Sequence, residues 1–403
     1  MVYENIKEET EQLFSTLTAI RHALHENPEN GTREYKTDTI ITDCLKQWDI
    51  PFRFIADTGI LAQIEGTGKA PASGSPVIGI RADIDALPIT EPKEHPCCSR
   101  NPGMMHACGH DAHTAILLGT ACLLQRHRSE WSGTVKCFFQ PAEETVGGAK
   151  RMVEAGCMND PAVDYVTGLH VMPQFPTGDV ELKYGRLNAS SDEIIINVTG
   201  VGCHGAYPEN GIDSIVIASN LILSLQTLVS RNISPLNSAV LSFGKIQGGQ
   251  AGNIICDQVT LTGTLRTLDP KTRTKAHTMI QQQCTHIAAA YGGKAELTIH
   301  SGYDALINSN ELVELAALNA AELLGEEHIH WKEFPSLGVE DFSFFQHDAK
   351  ASVFYHLGCT SPAKAPGAPL HSPQFELDDN CLKTGVLLQY HLTQKLLNYR
   401  QSL

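Results

Sequence analysis

The chain has 403 residues, which is too long for one ordinary core, so two or three domains are expected. Its content of 42% hydrophobic and 19% charged residues is typical of a soluble globular protein. Its formal net charge of −15 argues against nucleic acid and anionic membrane surfaces as partners. Residues 1–9 lack the basic and apolar stretches of a secretory signal, and we find no stretch expected to span a bilayer. The 12 cysteines are scattered, so we expect free thiols in a reducing cytoplasm.

The first part of the chain predicts helices and strands that alternate. Helices are predicted over 10–26, 36–48, 111–127 and 147–155, and strands over 77–82, 134–139 and 165–169. Strand–helix alternation of this kind predicts an α/β fold with a largely parallel sheet and helices on both faces. The same pattern resumes near the C-terminus, with helices over 310–324 and 382–399 and a strand over 352–357.

The pattern between these two parts is different. Strands are predicted over 192–199, 238–247, 257–266 and 294–300, and helices over 213–230 and 271–291. The order β-α-β-β-α-β is that of a ferredoxin-like domain. We therefore predict an inserted domain at 189–301, between the two parts of a catalytic domain at 1–188 and 302–403. Its helix over 213–230 is rich in Ile, Leu and Val, which favours a homodimer contact.

A dense polar cluster stands directly before the apolar run over 116–124. It brings a thiol, Cys108, close to an imidazole, His110, and Gly109 between them suits a tight loop. Thiolate and imidazole together are favoured by borderline-soft divalent metals. The sequence therefore predicts a metal site where the helix begins. We leave Asp111 and His113 out of the ligand set, as helix-start and packing residues.

Polar residues also follow each predicted strand of the first part. The first strand is followed by Asp83 and Asp85, the second by Glu143 and Glu144, and the third by His170. In open α/β sheets, sites form outside the carboxyl ends of the strands, so we expect these groups to converge. Asp85 is a candidate for orienting a ligand imidazole, and the alternative is an Asp that caps a loop.

These segments together resemble the M20 metallopeptidase family, in its amidohydrolase branch of hippurate, N-acyl-L-amino acid and auxin-conjugate hydrolases. The matching segments are 81–89, 105–115, 139–144, 168–173 and 370–373, together with 21–25 and 338–343. They cover nearly the whole chain in the family's order. The resemblance implies a catalytic domain of the zinc-exopeptidase type, with the inserted α+β domain acting as a lid and in dimerisation.

The resemblance also implies a dinuclear metal site. Its ligands would be Cys108, His110, Glu144, His170 and His371. Five protein ligands exceed the four that one tetrahedral zinc takes, so two ions are natural. A thiolate and three imidazoles disfavour Mg²⁺ and Ca²⁺ and leave Zn²⁺, Mn²⁺, Co²⁺ or Ni²⁺.

Four further residues receive roles. The side chains of successive residues at the end of a strand point in opposite directions, so Glu143 and Glu144 are not expected to bind the same metal. The resemblance implies that Glu143 is the general base. It also implies that His204 stabilises the oxyanion of the substrate, often across a dimer. Asn253 and Arg266 match positions that hold the substrate's free carboxylate. A salt-bridged strand arginine remains the alternative for Arg266.

The predicted function is metal-dependent hydrolysis of the amide bond of a small-molecule N-acyl amino acid, hippurate-like or N-acetylated, with no nucleic-acid or membrane partner. A dipeptidase or carboxypeptidase with the same type of metal site is the main alternative. A hydrolase with Cys108 as nucleophile makes poor use of Glu143 and His371. A metal-binding protein without activity is disfavoured because Glu143 is present.

Overall fold

The computed structural model describes residues 2–69, 74–92 and 97–399, which divide into two compact units. The first unit falls within residues 1–185, 307–333 and 341–403, and the second comprises 186–306 and 334–340. The roles of catalytic domain and lid given above to 1–188, 302–403 and 189–301 stay predictions.

The described residues form eight α-helices, and each helix predicted from the sequence is among them. α1 begins at Val2 rather than near residue 10, and the other helices begin and end within about two or three residues of the prediction. The helices are α1 (Val2–His25), α2 (Tyr35–Gln47), α3 (His110–Arg126), α4 (Gly148–Glu154), α5 (Ser214–Thr227), α6 (Pro270–Ala290), α7 (Asn310–Leu324) and α8 (Asn380–Asn398).

Sixteen strands lie in the described part of the chain, and eight of them were not predicted: seven strands of two to four residues and the longer strand Gly59–Thr67. Strands of two to four residues carry too little alternation to be recognised in a sequence. The strands are β1 (Phe52–Ile55), β2 (Gly59–Thr67), β3 (Val77–Asp83), β4 (Ser132–Gln140), β5 (Tyr165–Pro176), β6 (Val180–Leu182), β7 (Gly185–Asn188), β8 (Ser190–Thr199), β9 (Cys203–His204), β10 (Ala239–Gly248), β11 (Ile254–Ile255), β12 (Gln258–Thr267), β13 (Lys294–Ser301), β14 (Leu306–Asn308), β15 (Ile329–Trp331) and β16 (Ala351–Thr360).

The first unit is built on an eight-stranded mixed sheet in the order β1-β2-β4-β3-β5-β16-β6-β15. The central pairs β4–β3, β3–β5 and β5–β16 are parallel, as is β6–β15 at one edge. The pairs β1–β2, β2–β4 and β16–β6 are antiparallel. The predicted α/β class with a mainly parallel sheet is confirmed, and the antiparallel strands are additions that the sequence did not predict.

Helix α3 is the central helix of the first unit, and it is buried from His110 to Leu124. Two glycines let neighbouring elements approach it closely. A Cβ on Gly119 would lie 2.8 Å from Val386 Cγ2 of α8, and a Cβ on Gly385 would lie 2.5 Å from Ile116 Cδ1. This close packing fixes the N-terminal end of α3, where the polar cluster stands.

The second unit contains a four-stranded antiparallel sheet in the order β10-β12-β8-β13. Helices α5 and α6 connect its strands in the order β8-α5-β10-β12-α6-β13, which is the predicted ferredoxin-like arrangement. Its core is formed by apolar residues of the sheet and of both helices, including Ile196, Leu261, Leu221 and Ile280.

One helix of the second unit corrects an expectation from the sequence. The stretch Ser214–Asn232, which is α5 with the turn that follows, is long and apolar enough to cross a membrane by length and composition. The expectation of no such stretch is wrong by this criterion. A single helix of this kind is weak evidence, because a core helix meets the same test, and Ile217, Leu221 and Leu225 pack in the core of this unit.

Replacing Asp213 with alanine is expected to destabilise the second unit by about 1 kcal/mol, the usual effect of losing a helix N-cap. The Asp213 carboxylate accepts hydrogen bonds from the N–H groups of Ile215 and Val216 at 2.8 and 3.3 Å. Urea unfolding monitored by circular dichroism measures the change. Asp213→Asn keeps an acceptor and serves as the control; an equal loss in both variants would contradict a capping role.

Candidate metal centre

The five residues predicted to bind metal lie together in the first unit. Cys108 Sγ is 3.3 Å from His170 Nε2 and 3.3 Å from His371 Nε2. Glu144 Oε1 is 3.1 Å from His371 Nε2 and 3.9 Å from His110 Nε2. Thiol, imidazole and carboxylate groups from four separate segments of the chain therefore converge at one point.

Ligand atoms of these residues form two overlapping triplets. Cys108, His110 and His170 make one, and Cys108, Glu144 and His371 make the other, with ligand atoms within 4.8 Å of one another in each. The residues of the first triplet are all buried, whereas His371 in the second is exposed. Two triplets that share one sulfur suit two divalent ions better than one.

The imidazoles have tautomers that suit metal binding. His170 Nδ1 donates to the carbonyl oxygen of Val171 at 2.7 Å, and His110 Nδ1 donates to the carbonyl oxygen and the carboxylate of Asp85 at 3.0 and 3.1 Å. Each ring therefore presents the lone pair of Nε2 to the centre. Among the described residues, the buried His110 Nε2 has no hydrogen-bond partner, as expected of an atom that an ion would satisfy. The donor set fits divalent transition metals.

Two left-handed backbone positions aim the ligands. Gly109 has a φ of +84°, and a Cβ there would collide with Val171 Cγ2. The prediction of a tight loop at Gly109 is consistent with this conformation. His371 has a φ of +62°, and its N–H donates to the carbonyl oxygen of Ala107 at 2.9 Å, directly before Cys108. A non-glycine residue in this region is uncommon and is held by its surroundings.

His170 lies within β5 rather than at its end, so one premise of the sequence argument was wrong. The predicted strand stopped at residue 169, but β5 continues to Pro176. Pairing with β3 ends at Gly168, while pairing with β16 continues past His170, opposite His356. The imidazole therefore reaches the centre from the part of β5 that extends beyond β3.

His113 is close to the centre but engages both of its ring nitrogens elsewhere. Its Nδ1 donates to Asp83 Oδ1 at 2.6 Å, and its Nε2 accepts the N–H of Val171 at 2.8 Å. Asp83 also accepts from Arg81 Nη1 at 2.7 Å. His113 and Asp83 thus fix the backbone next to His170, and we leave both out of the ligand set although they could form a triplet with His110.

Asp111, likewise left out of the ligand set, ties α3 to α1. It accepts from Arg21 Nη1 at 3.0 Å and from His25 Nδ1 at 2.8 Å. The neighbouring charges of His25 and Arg21 lower the pKa of this carboxyl, although burial opposes them. Asp111 is therefore a buried carboxylate with two cationic partners at the first turn of α3.

Burial sets the protonation of the centre. Burial, reinforced by the charges of Glu144 and Glu143, raises the pKa of the Cys108 thiol well above its usual value. Burial would also raise the pKa of Glu144, but the hydrogen bond from His371 and the charge of His110 outweigh it and lower that pKa. An ion that binds here must therefore displace the thiol proton.

Glu143 and Glu144 do not follow the strand geometry expected of them. β4 ends at Gln140, and Ala142 has a φ of +57°, so the two glutamates stand in a turn. One carboxylate oxygen of each lies within 4.8 Å of a ring nitrogen of His110. The argument from strand alternation is wrong because the extended conformation ends before Glu143. The role of general base stays a prediction for Glu143, of which 9% is exposed.

Asp85 contacts two of the predicted ligands. Besides accepting from His110 Nδ1, it accepts the N–H of Glu144 with Oδ2 at 2.9 Å. Its carboxylate is buried, with 1% of the residue exposed. The bond to His110 fits the predicted role of orienting a ligand imidazole, and the bond to the Glu144 turn fits the alternative of an Asp that caps a loop, so the role stays a prediction.

The remaining predicted site residues belong to the second unit. His204 lies exposed on β9, which pairs with β11. Asn253 directly precedes β11, and its backbone carbonyl oxygen accepts the N–H of Gly205 at 2.7 Å. The structure thus brings His204 and Asn253 onto one two-stranded ribbon. Arg266 lies on β12, opposite Val240 of β10. The roles of all three stay predictions.

A mainly parallel α/β unit that gathers a thiol, imidazoles and carboxylates beside a further glutamate defines a metal-dependent hydrolase. Comparison with known proteins gives the family. The profile of "Peptidase family M20/M25/M40" matches residues 79–395. The chain belongs to this family.

Three relatives illustrate the similarity. The N-acetyl-L-cysteine deacetylase of Bacillus subtilis is 38% identical over 389 residues, 96% of this chain and 89% of that protein. IAA-amino acid hydrolase ILR1-like 4 of Arabidopsis thaliana is 38% identical over 389 residues, 95% of this chain and 86% of that protein. The crystal structure of a dinuclear metal-binding M20 peptidase from Bacillus subtilis has a TM-score of 0.82 at 33% identity, covering 96% of this chain and 99% of that one. The predictions of an enzyme and of two divalent ions are confirmed.

Proposed function

We propose that this enzyme hydrolyses the amide bond of N-acyl amino acids and releases a carboxylate and a free amino acid. The observation that carries the proposal is the position of the Glu143 carboxylate, within 4.8 Å of both His110 and Glu144. Two of the three relatives named above, the deacetylase and the IAA-amino acid hydrolase, act on derivatives of amino acids by name, one of them N-acetylated, and this supports the substrate class.

Two divalent ions, drawn from Zn²⁺, Mn²⁺, Co²⁺ and Ni²⁺, would be held by the two triplets of the centre. When bound, such ions polarise the scissile carbonyl and lower the pKa of the attacking water. The ligands in this proposal are Cys108, His110, Glu144, His170 and His371.

Glu143 is proposed to move the proton. Its carboxylate accepts a proton from the attacking water and passes it to the nitrogen of the leaving amino acid. Because Glu143 is buried, the proton is transferred in a place shielded from bulk water. Asp85 keeps the His110 imidazole in the tautomer described above, and the Asp83–His113 pair fixes the backbone next to His170.

His204 is proposed to donate a hydrogen bond to the oxyanion. Its Nδ1 accepts the N–H of Ala206 at 3.0 Å, so the proton of the neutral ring resides on Nε2, which is a donor. Asn253 and Arg266 are proposed to hold the substrate carboxylate, for which the planar donors of Arg are suited.

We also propose a homodimer in the cytoplasm; the 12 cysteines are all free thiols, which supports a reducing location.

Replacing His204 with alanine is expected to lower kcat about 10- to 100-fold and to change KM by less than about threefold, since a donor to the oxyanion acts mainly in the transition state. Steady-state kinetics on the preferred substrate measures both constants. His300→Ala, an exposed histidine on β13, is the control and should behave like the unmodified enzyme. A raised KM with an unchanged kcat would assign His204 to ground-state binding instead.

A mixing experiment decides whether His204 acts across a dimer. If it does, His204→Ala and Glu143→Gln subunits, mixed and allowed to exchange, recover one active site that has both intact residues. Unrecovered activity after proven subunit exchange would mean that His204 acts within its own chain or not at all.

The proposed reaction is tested by counting the metals in the purified protein and assaying a panel of acyl amino acids. Dipeptides and C-terminal peptide substrates assayed side by side distinguish the peptidase alternative, since their leaving groups are amino acids too. The Cys108-nucleophile alternative predicts activity that survives chelation and is lost on alkylation. Hydrolysis of acyl amino acids that chelation abolishes would support the proposal.

A further inference from the structure

The two residues that flank Glu143 are Ala142 and Glu144. The backbone N–H group of each donates a hydrogen bond to a buried carboxylate of a distant segment. Glu144 N–H donates to Asp85 Oδ2 at 2.9 Å. Ala142 N–H donates to Glu34 Oε1, also at 2.9 Å. The backbone of Glu143 is thereby fixed from both sides, by a residue next to β3 on one side and by the residue before α2 on the other.

Ala142 depends on such contacts because its backbone is left-handed, with a φ of +57°. For a residue with a Cβ this conformation is unfavourable and persists only where the surroundings impose it. The carbonyl oxygen of Ala142 accepts from the N–H groups of Gly147 and Gly148 at 3.0 and 3.3 Å, so these bonds and the one to Glu34 hold the peptide groups on both sides of its Cα.

The segment that carries Glu34 lies directly against this turn. A Cβ on Gly31 would collide with Thr145 Oγ1 and would lie 2.9 Å from Ala142 Cα. The absence of a side chain at Gly31 therefore lets the two backbones approach. This contact places the Glu34 carboxylate within reach of Ala142 N–H.

Glu34 has the properties of a residue that holds a backbone in place. It is 0% exposed, and its second oxygen, Oε2, accepts from Thr58 Oγ1 at 2.5 Å. Burial raises the pKa of this carboxyl. Burying a carboxyl is costly unless its oxygens are hydrogen-bonded, and here both are used, one of them on the turn that presents Glu143.

We propose that Glu34 is a positioning residue for Glu143: its hydrogen bond to Ala142 N–H locks the left-handed turn that aims the Glu143 carboxylate. The proposal rests on the proposed function only for the role of Glu143. Asp85 anchors the following peptide group, so the two carboxylates act on the same turn from opposite ends. Pre-organised positioning of this kind raises kcat rather than substrate affinity.

Two conservative variants distinguish the effect of the length of the Glu34 side chain, its reach, from the effect of its charge. Glu34→Gln loses the charge but keeps an oxygen at the distance of Oε1, and its amide donates to Thr58 Oγ1. Glu34→Asp keeps the charge but is one methylene shorter, so it cannot reach Ala142 N–H without a shift of the backbone. We expect Glu34→Gln to keep kcat within about threefold and Glu34→Asp to lower it at least about tenfold, with KM and metal content within about twofold in both.

Hydrogen exchange of the Ala142 amide, measured on the metal-free proteins, tests the anchor without any assay of activity. Exchange should be at least about tenfold faster in Glu34→Asp and nearly unchanged in Glu34→Gln. Thr58→Val is the matched control: it removes the other partner of the same carboxylate and should leave the Ala142 exchange rate and kcat within about threefold.

Several results would overturn the proposal. Equal damage in Glu34→Gln and Glu34→Asp would show that reach alone does not explain the role of Glu34, since Glu34→Gln keeps the reach, and a Thr58→Val variant as impaired as Glu34→Asp would indicate general packing. An unchanged Glu34→Asp enzyme would remove Glu34 from the mechanism. If the unmodified protein hydrolyses no acyl amino acid, the proposed function fails, while the exchange rates still decide whether Glu34 anchors Ala142.

Discussion

Replacing Glu143 with glutamine is expected to lower kcat by at least about 10²-fold, the usual effect of losing a general base. Glutamine has nearly the same shape as glutamate but accepts no proton at neutral pH. The two triplets of ligand atoms do not include Glu143, so metal content should be preserved. Metal counting, thermal unfolding and kcat on the preferred acyl amino acid are the measurements.

The matched control for this variant is Glu154→Gln, at the exposed end of α4. It makes the same chemical change and should leave kcat unaltered. Near-normal turnover in a metal-replete Glu143→Gln enzyme would remove Glu143 from proton transfer. Loss of metal in that variant would instead make Glu143 a ligand, which its distance to His110 makes a relevant outcome.

Replacing Cys108 with serine is expected to remove both ions together with the activity. Cys108 belongs to both triplets, so the loss of its sulfur weakens two sites at once. A serine hydroxyl is a poor substitute for a thiolate as a ligand of borderline-soft metals. We expect metal content to fall from about two ions per chain to well below one after dialysis, measured by elemental analysis.

Alkylation gives a second test of the role of Cys108 as a metal ligand. The Cys108 thiol should resist iodoacetamide in the metal-loaded enzyme and react after chelation in alkaline solution, where the metal-free thiol ionises. Because burial raises its pKa, the thiol is protonated at neutral pH without metal, so metal affinity should fall as the pH is lowered. Cys122→Ser, a buried thiol of α3 that lies outside both triplets, is the control. A Cys108→Ser protein that keeps both ions and loses only activity would favour the nucleophile alternative.

Four of the five ligand residues could be recognised from the sequence because they belong to local patterns. Cys108 and His110 precede a long apolar helix, and Glu144 follows an apolar strand and a proline. His170 was found for a partly wrong reason, since β5 continues beyond it and the expected strand end does not exist. His371 stands in an irregular loop, and only the family resemblance indicated it.

Other features depend on contacts that no local pattern contains. Glu34 is one of many acidic residues in the sequence, and its burial against Ala142 follows from packing between segments more than 100 residues apart. The left-handed backbone of Ala142 could not be predicted, because alanine has no preference for it. The last two strands of the sheet, β6 and the edge strand β15, have three residues each and depend on pairing with a neighbouring strand.

The single sulfur shared by the two triplets has a consequence for how the enzyme acquires its metals. Ionising the buried Cys108 thiol is unfavourable, and the first ion to arrive must bring this about. The second ion then meets a sulfur that is already deprotonated, in a pocket whose ligands are already ordered. Deprotonation of the thiol by the first ion therefore favours binding of the second.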